Sequence, residues 1–145
     1  MRLSTKGEYG LRAMFELAKH YGKGPLPLKV VAERQDLSEP YLEQLFGILR
    51  RGGLVQSVRG AQGGYVLSKS PSSIKIGDII RVLEGPIVPV DCVSDENDSD
   101  EACVRFDNCI ARNVWEKVRK SITDVLDSMT LESMLKEYQD TQNDN

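Results

Sequence analysis

Tyr9, Leu11, Met14, Phe15, Leu17 and Ala18 recur at helical spacing and predict a first helix. Thr5 is its expected cap, and it runs to about Tyr21, where Gly22, Gly24, Pro25 and Pro27 stop it. A short second helix covers Leu28 to about Gln35, and Asp36 and Leu37 lead to Ser38, a good N-cap. From Ser38, with Pro40 in the first turn, a third helix continues to Arg51 and ends at Gly52 and Gly53. The second and third elements form a helix, a tight turn and a helix. Ala32 is the small residue that lets the first of this pair pack across the second.

Leu54–Val58 and Gly64–Ser68 are β-prone runs joined by Arg59-Gly60-Ala61-Gln62-Gly63, a hairpin with a glycine-rich tip. Ile76, Ile79, Ile80, Val82 and Leu83 predict a supporting helix from Ile76 to Glu84, ended by Gly85 and Pro86. Further on, Val114, Trp115, Val118, Ile122, Val125, Leu126 and Met129 form one apolar stripe on a helix from about Arg112 to Ser128. Thr130 caps a last turn or two through Leu131, Met134 and Leu135, with Glu132 and Ser133 expected to be exposed.

The pattern predicts a mainly α chain with a small β wing. A winged helix-turn-helix domain occupies residues 1–85, a cysteine-bearing loop 86–111, and a dimerisation helix with a short terminal helix 112–138. Residues 139–145 form a polar, frayed tail. Trp115, Val118, Ile122 and Val125 are expected to be buried between subunits, because a lone amphipathic helix beyond the winged domain has little else to cover it.

Composition changes this picture in two places. The net charge of −3 conceals an imbalance. Residues 1–85 hold 13 Lys/Arg against 8 Asp/Glu, whereas residues 86–145 hold 6 against 14. A basic half suits a polyanion such as DNA, although an excess of this size is common in proteins that touch no nucleic acid. No run has the roughly 20 apolar residues of a membrane span, and the start lacks the apolar core of a secretory signal, so a cytoplasmic chain without a membrane partner is expected. No Ser/His/Asp set and no phosphate-cradling glycine loop is present, so no enzyme is indicated.

The outward, N-terminal side of the third helix carries Ser38, Glu39, Glu43 and Gln44. Gln pairs bidentately with adenine, Glu accepts from cytosine N4, and Ser serves either base, so this face has the chemistry to read a major groove. A solvated helix face would also look like this. At the wing, Arg59 beside Gly60 is a side chain suited to a narrow minor groove, although a plain surface turn carries the same residues.

The runs MRLSTKGEYGLRAM, AERQDLSEPYLEQLFGILRRGGLVQSVRGAQGGYVL and IGDIIRVLEGP resemble the winged-helix bacterial repressors that include IscR, NsrR and CymR. The likeness extends from Met1 to near Met129, and SEPYLEQL followed by VRGAQGGY is its most specific part. It implies a homodimer on a partly palindromic double-stranded operator, with the long C-terminal helices crossing between subunits. Ser38, Tyr41, Glu43 and Gln44 match the family's recognition-helix contacts, and Arg59, Gly60, Gln62 and Gly63 match its wing. Glu39, with Thr5 and Lys6 from the first helix, completes the expected DNA-binding set.

Cys92, Cys103 and Cys109 are the three cysteines, all within residues 92–109 and with no CxxC pair. Spacing alone leaves open a soft-metal site or three unrelated loop thiols. The resemblance favours an iron-sulfur cluster, 2Fe-2S in preference to 4Fe-4S, because IscR-like and NsrR-like members carry three cysteines in this loop whereas CymR-like members lack them. The first interval is longer than the usual IscR pattern, and Arg112 stands where IscR-like members have a histidine. The only histidine, His20, reads as a surface or satisfied residue. The resemblance points instead to Glu8, since some NsrR-like relatives use a carboxylate there, donated by the partner subunit. Asp91, Asp107 or water are the other options, and complementing the helix dipole is the plainer role for Glu8. The expected function is a repressor whose operator affinity is set by the cluster. The alternatives are a cluster-free, thiol-redox or partner-controlled regulator of the CymR kind, and a small iron-sulfur electron carrier.

Overall fold

The computed structural model describes residues 3–87 and 110–143. Among these, the elements follow as α1 (Thr5–Lys19), α2 (Leu28–Gln35), α3 (Glu39–Arg51), β1 (Val55–Val58), β2 (Gly64–Leu67), α4 (Ile76–Glu84), α5 (Ile110–Ser128) and α6 (Leu131–Asn143). A single 3-10 turn, Pro71–Ser73, precedes α4. The expected winged helix-turn-helix with a long C-terminal helix is the observed fold.

Local chemistry sets the boundaries. Ser4, not Thr5, caps α1: its Oγ accepts from the Lys6 N–H at 3.2 Å, and Thr5 is the first helical residue. The helix ends at Lys19 with His20 as its C-cap, two residues before the predicted end. In the turn between α2 and α3, Asp36 adopts φ 54°, a left-handed conformation that acidic and amide side chains tolerate better than most. The Leu37 N–H then reaches back to the Ala32 carbonyl at 3.0 Å. Ser38 caps α3 as predicted, accepting from the Tyr41 N–H at 3.2 Å.

The two strands pair antiparallel, with Val55 opposite Leu67 and Val58 opposite Gly64. Leu26 adds a short third rung through two backbone bonds with Tyr65, each 3.0 Å. Close approach explains two adjacent glycines here. A Cβ on Gly63 would lie 2.2 Å from the Val58 carbonyl oxygen, and one on Gly64 2.3 Å from that of Leu26.

The core is assembled from α1 (Ala13, Met14, Leu17), α3 (Leu42, Leu45, Phe46, Leu49) and α4 (Ile76, Ile79, Ile80, Leu83), closed by Val31, Val55 and Ile74. Leu131 of α6 is also fully buried in this cluster. Backbone bonds hold it there: the Ile76 N–H donates to the Met129 carbonyl at 2.9 Å and the Leu131 N–H to that of Ile74 at 3.1 Å. Thr130 caps α6 as predicted, its Oγ1 accepting from the Ser133 N–H at 3.1 Å, but Ser133 is half-buried and its hydroxyl oxygen accepts from the Thr130 N–H at 2.9 Å. The helix is also longer than expected. It continues through 139–143, the first part of the stretch predicted to fray, and Tyr138 packs edge-on against Phe15 of α1 at 5.5 Å.

Candidate nucleic-acid interface

The N-terminal ends of α1 and α3 meet. The Tyr41 hydroxyl donates to Thr5 Oγ1 at 3.0 Å, the Tyr9 ring meets that of Tyr41 edge-on at 6.0 Å, and the Arg12 guanidinium lies over Tyr9 at 5.4 Å. This bond joins two residues that the sequence placed in one DNA-binding set on separate helices. Lys6, next to Thr5, is exposed.

On α3 the apolar face, Leu42, Leu45, Phe46 and Leu49, is turned into the core, and helical geometry leaves Glu39, Glu43 and Gln44 exposed on the opposite side with Ser38 at their head. Tyr41 stands between the faces, half-buried. The helix presents a short row of hydrogen-bonding side chains at its N-terminal end, the part of a recognition helix that reaches base edges. At the wing, Arg59, Gly60 and Gln62 are exposed, Gly63 is half-buried, and the Arg59 guanidinium makes no ion pair among the described residues. Gly60, at φ 121°, turns the tip through a conformation that side chains rarely adopt.

One polar cluster escaped the sequence reading. Glu16 is buried on α1 and is held by the Lys19 ammonium at 3.0 Å, the Gln35 amide at 2.7 Å and the Arg34 guanidinium at 3.3 Å. Burial works to raise its carboxyl pKa, but the hydrogen bonds from Lys19 and Gln35, the Lys19 charge and the Arg34 contact outweigh it and keep the group below the usual range. Glu16 thus ties α1 to the end of α2, just ahead of the turn into α3. Only a charged residue on the inward side of the predicted α1 stripe could have signalled it.

Glu8 is exposed in the first turn of α1, and its carboxylate has no partner among the described residues. His20 lies at the other end of the same helix, twelve positions or roughly 18 Å along the axis, beside a cavity of about 230 Å³ lined also by Leu17, Tyr21 and Tyr65. The expected ligands Cys92, Cys103 and Cys109 lie outside the described residues, as do Asp91 and Asp107, and no metal-holding group of His, Cys, Asp or Glu occurs among those described. No described helix is long and apolar enough to cross a membrane.

The stripe on α5 is distinctive. The helix contributes no fully buried residue, and Trp115, Val118 and Val125 are 40%, 36% and 57% exposed, with Ile122 half-buried. Its C-terminal end is anchored where Arg81 of α4 grips Asp127 through two bonds of 2.9 and 2.7 Å.

Comparison with known proteins agrees with this architecture. Residues 3–137 match the Rrf2 family, described as iron-dependent transcriptional regulators. The chain is 51% identical to the HTH-type transcriptional regulator CymR of Bacillus subtilis over 92% of its own length and 89% of that protein's. It is 40% identical to the regulator IscR of Pectobacterium carotovorum, covering 93% and 79% of the two chains. The solved structure of T. potens IscR superposes with a TM-score of 0.80 at 54% identity, over 98% of this chain and 91% of the other. The fold, the exposed row on α3 and these relatives agree: the chain belongs to the Rrf2 family of helix-turn-helix transcriptional regulators.

Proposed function

We propose that the protein acts as a homodimeric repressor that reads a partly palindromic operator with the N-terminal end of α3 and the wing. The observation that carries this reading is the exposed row Ser38, Glu39, Glu43 and Gln44, joined through Tyr41 and Thr5 to the start of α1. Glu43 and Gln44 serve as base readers, whereas Lys6 and Arg59 supply the cations that hold a phosphate backbone or enter a minor groove. The uncovered stripe on α5 takes a second copy of the chain, and two-fold symmetry of the protein then requires two half-sites in the DNA.

The test is titration against a duplex selected by the wild-type protein from a random pool. Arg59→Ala is expected to weaken binding by about 1–3 kcal/mol with the dimer intact, and Glu43→Ala to change which sequences bind more than how tightly. Two variants that match wild type on selected and random DNA alike would remove this groove assignment.

For regulation, the donor set of Cys92, Cys103, Cys109 and Glu8 suits an iron-sulfur cluster: thiolates are the usual ligands of such clusters, and an exposed carboxylate with no partner among the described residues is available as a harder, exchangeable fourth ligand. A bound cluster supplies a group whose ligation responds to oxidation and to iron-sulfur supply. The likeness to CymR favours the second reading, a cluster-free regulator controlled by thiol oxidation or a partner. Anaerobic purification with a visible spectrum and iron and sulfide assays separates the two. A coloured protein with matching iron and sulfide is expected, and a colourless one leaves the cluster-free regulator.

A further inference from the structure

We infer that Glu84 is a positioning residue for the DNA-reading surface, acting through the N-terminus of α1 on Tyr41. Glu84 is the last residue of α4, far in sequence from α1, yet its Oε1 accepts from the Ser4 N–H at 3.0 Å, from the Gly7 N–H at 2.8 Å and from the Ser4 hydroxyl. A carboxylate on the first turn of a helix satisfies N–H groups that have no partner within the helix and opposes the positive end of its dipole. Here it also fixes where that turn sits. A Cβ on Gly7 would lie 2.7 Å from the same Oε1, and one on Gly10, a turn later, would lie 2.2 Å from Leu83 Cδ1. The two glycines form a groove in α1 that receives the end of α4. The residue between Ser4 and Lys6 is Thr5, whose Oγ1 holds the Tyr41 hydroxyl. Moving the Glu84 carboxylate therefore moves the turn that carries Thr5, and with it the side chain at the head of α3.

Glu84 is followed directly by Gly85, at φ 87°, and Pro86, from which the chain enters the stretch containing the three cysteines.

The inference rests on the assignment of α3 as the reading helix, and a double-mutant cycle on the selected duplex tests it separately. Glu84→Ala is expected to weaken binding about tenfold, and Gly7→Ala, which expels the carboxylate from the other side, by a similar factor. Glu84→Gln, which keeps an acceptor, should recover most of the loss. A merely structural role would not predict the decisive result. In a Tyr41→Phe background, Glu84→Ala should cost no more than about twofold further, because the hydroxyl through which it acts is gone. Affinity for random duplexes and the far-ultraviolet dichroism should stay close to wild type. Equal factors in both backgrounds, or wild-type affinity in both Glu84→Ala and Gly7→Ala, would overturn the relay. If Glu84→Ala does not fold, Gly7→Ala carries the same cycle. A wild-type protein that selects no sequence refutes the DNA reading itself.

Discussion

Helices α4 and α5 carry the same message in sequence and meet different fates in the fold. Each has an apolar stripe at helical spacing. In α4 the stripe is covered on every side by this chain, with Ile79 fully buried and Ile76, Ile80 and Leu83 nearly so. In α5 only the C-terminal end of the stripe, Leu126 with Met129 just beyond the helix, packs on the core, whereas Trp115, Val118 and Val125 stay exposed and Ile110, at the start of the helix, is 82% exposed. Periodicity announces that a face will be covered but does not say by what. The covering partner is set by chain length and connection: α4 follows a short 3-10 turn that returns it to α1, whereas α5 is the longest helix described and, among the described residues, meets the domain near its C-terminal end through Leu126, Asp127 and the following Met129.

The comparison is broken most severely at Ile79. Ile79→Asp puts a charge at a position closed to solvent and should cost more than about 4 kcal/mol, enough to remove the cooperative thermal transition followed by circular dichroism. The same change at Val118 should leave that transition in place, because the residue is 36% exposed in one protomer. Its effect should be on assembly: sedimentation is expected to shift from dimer to monomer, with loss of tight operator binding. A Val118→Asp protein that stays dimeric would move the interface elsewhere. The smallest effect is expected at the hinge between the two helices. The Arg81 hydrogen bonds hold the Asp127 carboxyl below its usual range against the opposing effect of burial. A depressed folded value means that the stabilisation is fully present above the unfolded value of about 3.9 and is lost as pH falls through the lower folded value. Because both side chains remain partly solvated, the ion pair contributes only about 1 kcal/mol. Asp127→Asn should lower the midpoint slightly at pH 7 and by less at pH 2, and equal shifts at both would show that charge is not the cause.

Most of the helices were legible because their periodicity and caps are local: Ser38, Pro40, Gly52 and Gly85 stand where the helix ends require them. The misplacements occurred where the deciding contact was distant. Thr5 looked like the cap of α1, and the preference for Ser4 is reinforced by Glu84, eighty residues away. The end of α6 looked too polar to fold, and what it leans on is Phe15, with the Lys19 ammonium over both rings at 5.3 and 5.2 Å. The proposed reading face was visible as an exposed polar row, whereas the Thr5–Tyr41 bond and the Glu16 cluster depend on how α1 lies across α2 and α3. No one-dimensional period reports that angle.

The paired backbone bonds between Ile74–Ile76 and Met129–Leu131 bear on how divisible the protein is. By sequence, the winged domain looks like a portable module that ends at Gly85. In the fold, its floor includes Leu131, which enters from beyond the long helix. A fragment stopped at residue 85 would expose the underside of α1 and α4 to water. The two ends of the chain therefore share one melting unit, and slow amide exchange in α4 should extend to the first turn of α6. A graft of the winged helix-turn-helix onto another protein would need to bring that C-terminal turn with it.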